Sequence, residues 1–542
     1  METDALLTAI GLVVAVYTLL PAERRLQLRL RIGVPDVFVI ATAILLVHYI
    51  KFFPVFMTLG IPDLGPWRWG FDPDNASYLA LAIAATFVVI RISTARLHPR
   101  KIATFRDLAE RLLFSEKFPE LLFLLETNLS DLRRLIESRT IPARLSNWIR
   151  PHQYVEMMGR RFDIEGRAPD TNWFIIYLPD GARRWLVNIL PDHTASRQIA
   201  ERLFERIVLS ARFVDYLSKA RPYFALDVLL VAKPFFQESF LKLYVDALLN
   251  NEDSVLYEEI KQVQNTGTNG RYVINSLNPL IDFFFGQTWR AERMKLYKPI
   301  GDAVSDHLKR LGRNREIDPY RRPLGDFFES GRWRSPVFAG RCLFEYMITE
   351  GLHRGTHWHM WLMYLEYWAQ RIVENMADPG PDIDQSREWP TPYHYLLYEL
   401  FSTQQDWIAT AAELDQNLES VVVKKVDLEY GSIAKSATLS LGACLRIVVE
   451  SEHIAPTFKG YLLGVVAHGF ARVVEQERDK LAGMYERAVV NGGTQHRDLS
   501  RFRSGLLQAI AHVDDDSRYM SPAADLIKAL SQSLDTEGRP GQ

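Results

Sequence analysis

Three histidines close together in the second half of the chain have the residue type and spacing of a metal site. His353 and His357 are four residues apart, so on a helix they would share one face, and His359 follows two residues later. Glu366 lies one to two helical turns further along the chain. Imidazole nitrogens with a carboxylate are suitable ligands for zinc or another divalent metal. The sequence therefore offers a candidate metal site at His353, His357 and His359.

The same stretch departs from the known zinc-protease pattern. Arg354 stands where the HExxH motif has its catalytic glutamate, and Gly355 weakens a helix between the first two histidines. The alternative interpretation is a group of polar side chains at a helix start, beside Trp358 and Trp361. We favour that alternative, so no cofactor is expected.

Other common chemistry lacks its sequence signature. The chain contains no Walker A loop, no GxGxxG and no GxSxG. Its two cysteines, Cys342 and Cys444, lie in apolar stretches, which is typical of buried thiols and excludes a disulfide scaffold. A net charge of -2 argues against a global basic field, and no specific nucleic-acid binding is expected.

Three apolar runs in the first hundred residues predict a membrane domain over 1–96. Because a spanning helix needs roughly 17–25 mostly apolar residues, we predict transmembrane helices at about 5–22, 36–57 and 76–95. A signal peptide is the alternative for the first run, but its start at Met1–Asp4 is acidic rather than basic. A buried helix of a soluble domain is the alternative for the third run.

Charged and aromatic residues beside these runs predict an orientation. Basic residues follow the first and third runs, whereas two tryptophans lie in the loop between the second and third. The basic residues are Arg24, Arg25, Arg29, Arg31, Arg91, Arg96, Arg100 and Lys101, and the tryptophans of the loop are Trp67 and Trp69. The positive-inside rule then places the N-terminus outside and the C-terminal domain in the cytoplasm. We favour a prokaryotic inner membrane.

Small residues four positions apart occur in two of the predicted spans, as Gly11 with Ala15 and as Ala80 with Ala84. Such pairs let helix backbones approach closely. They predict packing among the three helices of this chain or, alternatively, contacts between copies in a homo-oligomer.

The remaining residues predict a large, mainly α-helical cytoplasmic part. We divide it into a domain over 97–376, a C-terminal helical region over 393–530 and a disordered tail over 531–542. Helices are expected near 224–249, 336–352, 357–376, 393–415, 433–450, 457–489 and 500–512. A turn at Pro179–Gly181 between β-prone stretches predicts one small β-hairpin near 173–190.

Glycines mark two of the apolar stretches in the C-terminal region: Gly442 in one, and Gly460, Gly464 and Gly469 in the next. These stretches are too short to cross a membrane. Close packing of helix against helix explains the glycines.

These features favour a non-enzymatic multi-pass membrane protein. Its helical domain would act as an interaction, sensing or assembly module, or as an effector whose membrane part oligomerises. The expected partners are the lipid bilayer and an unknown protein or a second copy of the chain. The alternative is a membrane-bound, metal-dependent enzyme that uses the three histidines.

Overall fold

The computed structural model describes most of the chain after residue 33 and is predominantly α-helical, which confirms the mainly α-helical part of the predicted fold class. The described residues are 30, 34–59, 72–94, 97, 101–137, 194–231, 234–267, 271–356, 360–377, 383–414, 421–423, 428–430, 432–493, 499–513 and 523–537. The chain divides into two compact units, Met1–Phe213 and Val214–Gln542.

The first unit contains a pair of apolar helices followed by a small amphipathic bundle. Its helices are α1 (Val34–Lys51), α2 (Phe53–Thr58), α3 (Pro73–Thr94), α4 (Ile102–Phe114), α5 (Phe118–Ile136) and α6 (Thr194–Val208). Helices α4, α5 and α6 pack on one another. Each carries apolar residues on one face, so the bundle encloses Phe105, Leu121 and Leu203. Helix α7 (Ala211–Ala220) spans the division between the units.

Helices α1 and α3 pack against each other. Val47 and Ile50 of α1 are buried, as are Ala76 and Ser77 of α3. This pairing buries one side of each helix.

In its described residues, the second unit is a helical assembly with four short 3₁₀ turns and one small hairpin. Its helices are α8 (Pro222–Val231), α9 (Pro234–Leu249), α10 (Val255–Thr266), α11 (Pro279–Phe285), α12 (Thr288–Arg293), α13 (Tyr297–Arg313), α14 (Pro336–His353), α15 (Met363–Asn375), α16 (Pro392–Glu413), α17 (Ile433–Glu450), α18 (Pro456–Glu475), α19 (Asp479–Val490), α20 (Ser500–Ala511) and α21 (Ala523–Glu537). The 3₁₀ turns lie between residues 315 and 334.

Helix α14 lies in the interior of this unit. Its start is well specified, because the Ser335 side chain accepts a hydrogen bond from the Phe338 N–H and Pro336 occupies the first turn. Almost every residue of α14 is buried, and the helix packs against α10, α13 and α16. Helices α16 and α17 pack on each other, and α15 packs on both, so the helices on the two sides of residues 377–392 share contacts.

The described hairpin lies late in the chain. Strand β1 (Val421–Val423) pairs antiparallel with β2 (Leu428–Tyr430), and Val422 is opposite Glu429. A run of three valines favours a strand, but strands this short carry too little alternation to be recognised in the sequence. The hairpin predicted near 173–190 lies outside the described residues.

The predicted membrane spans require a correction. Among the residues that the structure describes, no helix is both long enough and apolar enough to cross a membrane. The run at 36–57 is divided, because α1 ends at Lys51 and a separate helix begins at Phe53. In α3 the uncharged run 76–90 is roughly 22 Å long at 1.5 Å per residue, short of a hydrocarbon core of about 30 Å. The predicted span at 5–22 lies outside the described residues.

Candidate functional site

The paired helices α1 and α3 expose large apolar side chains to solvent. Phe38 and Leu45 are 71% and 69% exposed on α1, and Ile83 is 62% exposed on α3. Other exposed apolar side chains on these two helices are Ile44, Leu46, Tyr78, Leu79, Phe87 and Ile90. At about 100° of rotation per residue, the exposed positions cover roughly half of the circumference of each helix.

The small residues of α3 lie on its other side. Ala80 and Ala84 are half-buried and fall on the stripe that contains the buried Ala76 and Ser77. Because α3 packs on α1, this position favours packing within the chain over contact between copies. Gly11 and Ala15 lie outside the described residues.

Most of the predicted membrane-interface residues lie outside the described part of the chain. These are Arg24, Arg25, Arg29, Arg31, Trp67, Trp69, Arg96 and Arg100. Arg91 falls within α3, and Lys101 directly precedes α4.

The histidine cluster is described only in part. His353 is the last residue of α14, and both of its ring nitrogens are buried without a hydrogen-bond partner among the residues that the structure describes. His357 and His359 lie outside the described residues. Glu366 is on α15 and lies 3.6 Å from Arg446. In the described part of the chain, no group of three or more His, Cys, Asp or Glu side chains is placed to hold a metal. The three-histidine site stays a prediction.

A buried ionic cluster in the second unit joins helices α14 and α16. Arg341 and Glu345 are one turn apart on α14, and the Arg341 Nη1 lies 2.6 Å from the Glu345 Oε2. The Arg341 Nη2 lies 3.0 Å from the Glu399 Oε2 on α16. Arg341 is only 5% exposed. One guanidinium is therefore shared by two carboxylates, which leaves the group of three with a formal charge of -1.

Neutral groups complete this ionic cluster. The Gln264 amide donates to the Glu345 Oε2 at 2.8 Å, and Arg341 Nη1 donates to the Thr403 hydroxyl at 3.2 Å. The Tyr272 hydroxyl is hydrogen-bonded to Glu345, and burial raises the pKa of that phenol far above its usual value. The guanidinium of Arg341 lies 4.7 Å from the centre of the Phe338 ring. These contacts hold the charged groups in one arrangement.

Arg332 lies beside the cluster and is held by aromatic side chains. Its guanidinium is 4.8 Å from the ring centres of Phe328 and Trp333 and 5.5 Å from that of Phe338. Its Nη1 donates to the Tyr395 hydroxyl at 2.7 Å, and Tyr395 is in turn hydrogen-bonded to Glu399. Within the described residues, no carboxylate lies within ion-pair distance of Arg332.

A cavity of about 260 Å³ adjoins these groups, and we call it the Arg332 cavity. Its lining is contributed by the end of α10, the last 3₁₀ turn, α14 and α16. The lining residues are Gln264, Asn265, Arg332, Trp333, Phe338, Arg341, Glu345, Glu399, Ser402, Thr403 and Asp406. Asp406 and Asn265 are exposed, so they mark the rim. Buried ionisable groups around a cavity are a common property of binding sites.

The sequence contained one signal for this site. Arg341 and Glu345 are charged residues at helical spacing inside a stretch that is otherwise apolar. Their partners could not be identified, because Gln264 and Glu399 are far away along the chain.

Comparisons of the chain with protein-family models, curated proteins and solved structures found no match.

Proposed function

We propose that this is a membrane-attached, non-enzymatic protein whose helical second unit binds a ligand or a partner. The observation that carries the membrane attachment is the wide apolar surface of α1 and α3. The proposed partners are a lipid bilayer and an unknown protein or second copy of the chain.

The width of that surface favours lipid over a single protein partner. A partner helix or sheet would cover one stripe, whereas lipid contacts every side that is not packed on the neighbouring helix. Ile44 and Leu46 lie on different sides of α1, and Tyr78 and Phe87 on different sides of α3, yet all four are exposed. The uncharged apolar runs, 37–50 in α1 and 76–90 in α3, are shorter than the roughly 17 residues that a span needs and suit segments that enter a bilayer without crossing it.

The proposal also includes the membrane to which the protein is attached and the side on which the second unit lies. Basic residues after the first and third apolar runs support attachment to a prokaryotic inner membrane with the second unit in the cytoplasm. An N-terminus outside the cell additionally requires that the segment before α1 crosses the membrane.

A vesicle-flotation experiment tests the attachment. Wild-type protein should float with vesicles of phosphatidylethanolamine and phosphatidylglycerol, and the double variant Leu45→Glu/Ile83→Glu should stay in the soluble fraction, because charged side chains on both helices oppose insertion. The control is Leu277→Glu/Ile317→Glu, which changes two exposed apolar residues of the second unit and should float like the wild type.

Two results would contradict the proposal. Wild-type protein could fail to float, and a discrete homo-oligomer in solution would then indicate that a second copy covers the apolar surface. The α1–α3 variant could float as well as its control, which would place attachment elsewhere. Circular dichroism of each variant verifies that the helices are intact.

A metal-dependent enzyme is a second candidate, favoured by one observation. Both ring nitrogens of His353 are buried and unpaired among the described residues, and an imidazole without a partner is available as a metal ligand. This candidate predicts one equivalent of metal in the purified protein. His357→Ala should lose the metal and keep its helical circular dichroism spectrum, while the variant His453→Ala, at an exposed histidine, should retain the metal. A metal-free wild-type sample would contradict it.

A further inference from the structure

We propose that the Arg332 cavity binds a free amino acid or a similar small zwitterion. Its carboxylate would contact Arg332, and its ammonium group would contact the carboxylates of Glu345 and Glu399. This inference gives the proposed sensing role a ligand class and rests on that role. It does not rest on membrane attachment, since every lining residue belongs to the unit Val214–Gln542.

Arg332 supplies the site for the ligand's carboxylate. Its Nη1 is used by the Tyr395 hydroxyl, and its three aromatic neighbours provide no hydrogen-bond acceptor for the remaining donors. A guanidinium packed among aromatic rings is held in place for an anionic group. By contrast, Arg341 already contacts two glutamates. Arg332 is therefore the cation of the lining that can accept an anionic group.

The acidic side supplies the site for the ammonium group. Glu345 and Glu399 share one guanidinium, so one of their two negative charges has no ion-pair partner of its own. Asp406 adds a carboxylate at the rim, where its Oδ1 lies 2.6 Å from the Arg472 Nη1. An ammonium group carries three donors and no acceptor, which suits a wall of carboxylates.

The charges of the lining discriminate among ligands. Asp406 is paired with Arg472, so the unbalanced charges of the lining are one positive charge at Arg332 and one negative charge shared by Glu345 and Glu399. A simple anion would contact Arg332 but would be repelled by the two glutamates. A simple amine would contact the glutamate carboxylates but would give Arg332 no carboxylate partner. Only a molecule with both groups satisfies the two sides together.

The volume of the Arg332 cavity indicates the size of the ligand. At about 30 Å³ per water in the liquid, 260 Å³ corresponds to roughly nine waters, which is comparable to a ligand of about nine non-hydrogen atoms. Small and medium amino acids are within that limit, while nucleotides exceed it.

The test compares matched ligands on the full-length protein. The twenty amino acids are screened by thermal unfolding, and the best one is measured by calorimetry beside its decarboxylated amine and its deaminated acid. For leucine these are 3-methylbutylamine and 4-methylpentanoate. We expect one-to-one binding of the amino acid and at least tenfold weaker binding of both analogues.

Variants locate the site. Arg332→Gln should weaken amino-acid binding at least tenfold, and Arg332→Lys should weaken it less, because it keeps the charge but loses the fork. Arg334→Gln is the control, since Arg334 is an exposed arginine of the same 3₁₀ turn that does not line the cavity. Its affinity should equal that of the wild type.

Several outcomes would overturn the inference: no amino acid binds, the amine binds as tightly as the amino acid, or both Arg332 variants bind normally. Flotation with vesicles is measured on the same Arg332 variants. Lost ligand binding with normal flotation in Arg332→Gln supports the site. Failure of the wild type to bind any amino acid, with normal flotation, rejects the ligand and leaves membrane attachment standing.

Discussion

Replacement of Arg341 with alanine should lower the free energy of unfolding of the second unit by about 3–5 kcal/mol, the usual cost of breaking a buried ion pair from one side. The variant leaves Glu345 and Glu399 in the interior without the guanidinium that they share. Urea unfolding followed by far-ultraviolet circular dichroism measures the change.

The control is an exposed ion pair. Arg371 lies 2.8 Å from Glu374 on the surface of α15, and Arg371→Ala should cost less than about 1 kcal/mol because solvent screens such pairs. The triple variant Arg341→Met/Glu345→Met/Glu399→Leu should recover much of the lost stability, since it removes all three buried charges together. An Arg341→Ala variant as stable as Arg371→Ala would show that water reaches the cluster freely.

Replacement of Gly442 with valine should destabilise the second unit by about 3 kcal/mol or more, through overpacking of α17 against α19. A Cβ atom at this position would lie 2.2 Å from the Ala488 carbonyl oxygen and 2.7 Å from the Gly493 nitrogen. Both are backbone atoms, so the helices must separate to admit the side chain. Gly442→Ala should also be destabilising, although alanine is favoured over glycine in a helix by about 1 kcal/mol.

The matched control is a glycine without close neighbours. Gly483 lies inside α19, and a Cβ there would have nothing within 4 Å. Gly483→Ala should therefore stabilise the protein by about 0.5–1 kcal/mol through helix propensity alone. Thermal and urea unfolding of both alanine variants gives the comparison. If Gly442→Ala were as stable as Gly483→Ala, α17 and α19 would not approach each other this closely.

Glycines inside apolar helices show how much of the helix packing could be predicted from the sequence. Close helix packing is confirmed at Gly442, and also at Gly460 and Gly469, where a Cβ would lie 2.4 Å from the His512 carbonyl oxygen and 2.7 Å from Gln405. A glycine inside an apolar helix has a local signature, so the need for a close neighbour is readable. The identity of that neighbour is not, because it comes from a distant part of the chain.

Helix limits were predictable where local signals are strong. The helices expected near 336–352 and 433–450 are observed as Pro336–His353 and Ile433–Glu450, each with a serine cap. The single helix expected at 457–489 is two, Pro456–Glu475 and Asp479–Val490, separated by a turn in which Glu477 has a φ of 55°. Six polar residues, Glu475 to Lys480, interrupt the apolar pattern at that turn, and this interruption was the local signal for two helices.

The candidate binding site was the least predictable part. Arg341 and Glu345 were visible as a charged pair in an apolar stretch, but the ionic cluster needs Glu399 from α16 and Gln264 from α10. Only the packing of α14 against both helices brings these residues together. Apolar composition, in contrast, indicated directly that α1 and α3 would be apolar helices. Among the described residues, however, no helix is long and apolar enough to be the predicted span.

The two cysteines allow slow opening of the second unit to be timed. Cys342 on α14 and Cys444 on α17 are completely buried, and burial raises the pKa of each thiol to about 12. Only the thiolate of an exposed cysteine reacts readily with alkylating reagents, so each sulfur becomes reactive when its own helix opens. Mass spectrometry of the two alkylated peptides over time would report the opening rates of two separate helices in one unlabelled, unmutated chain.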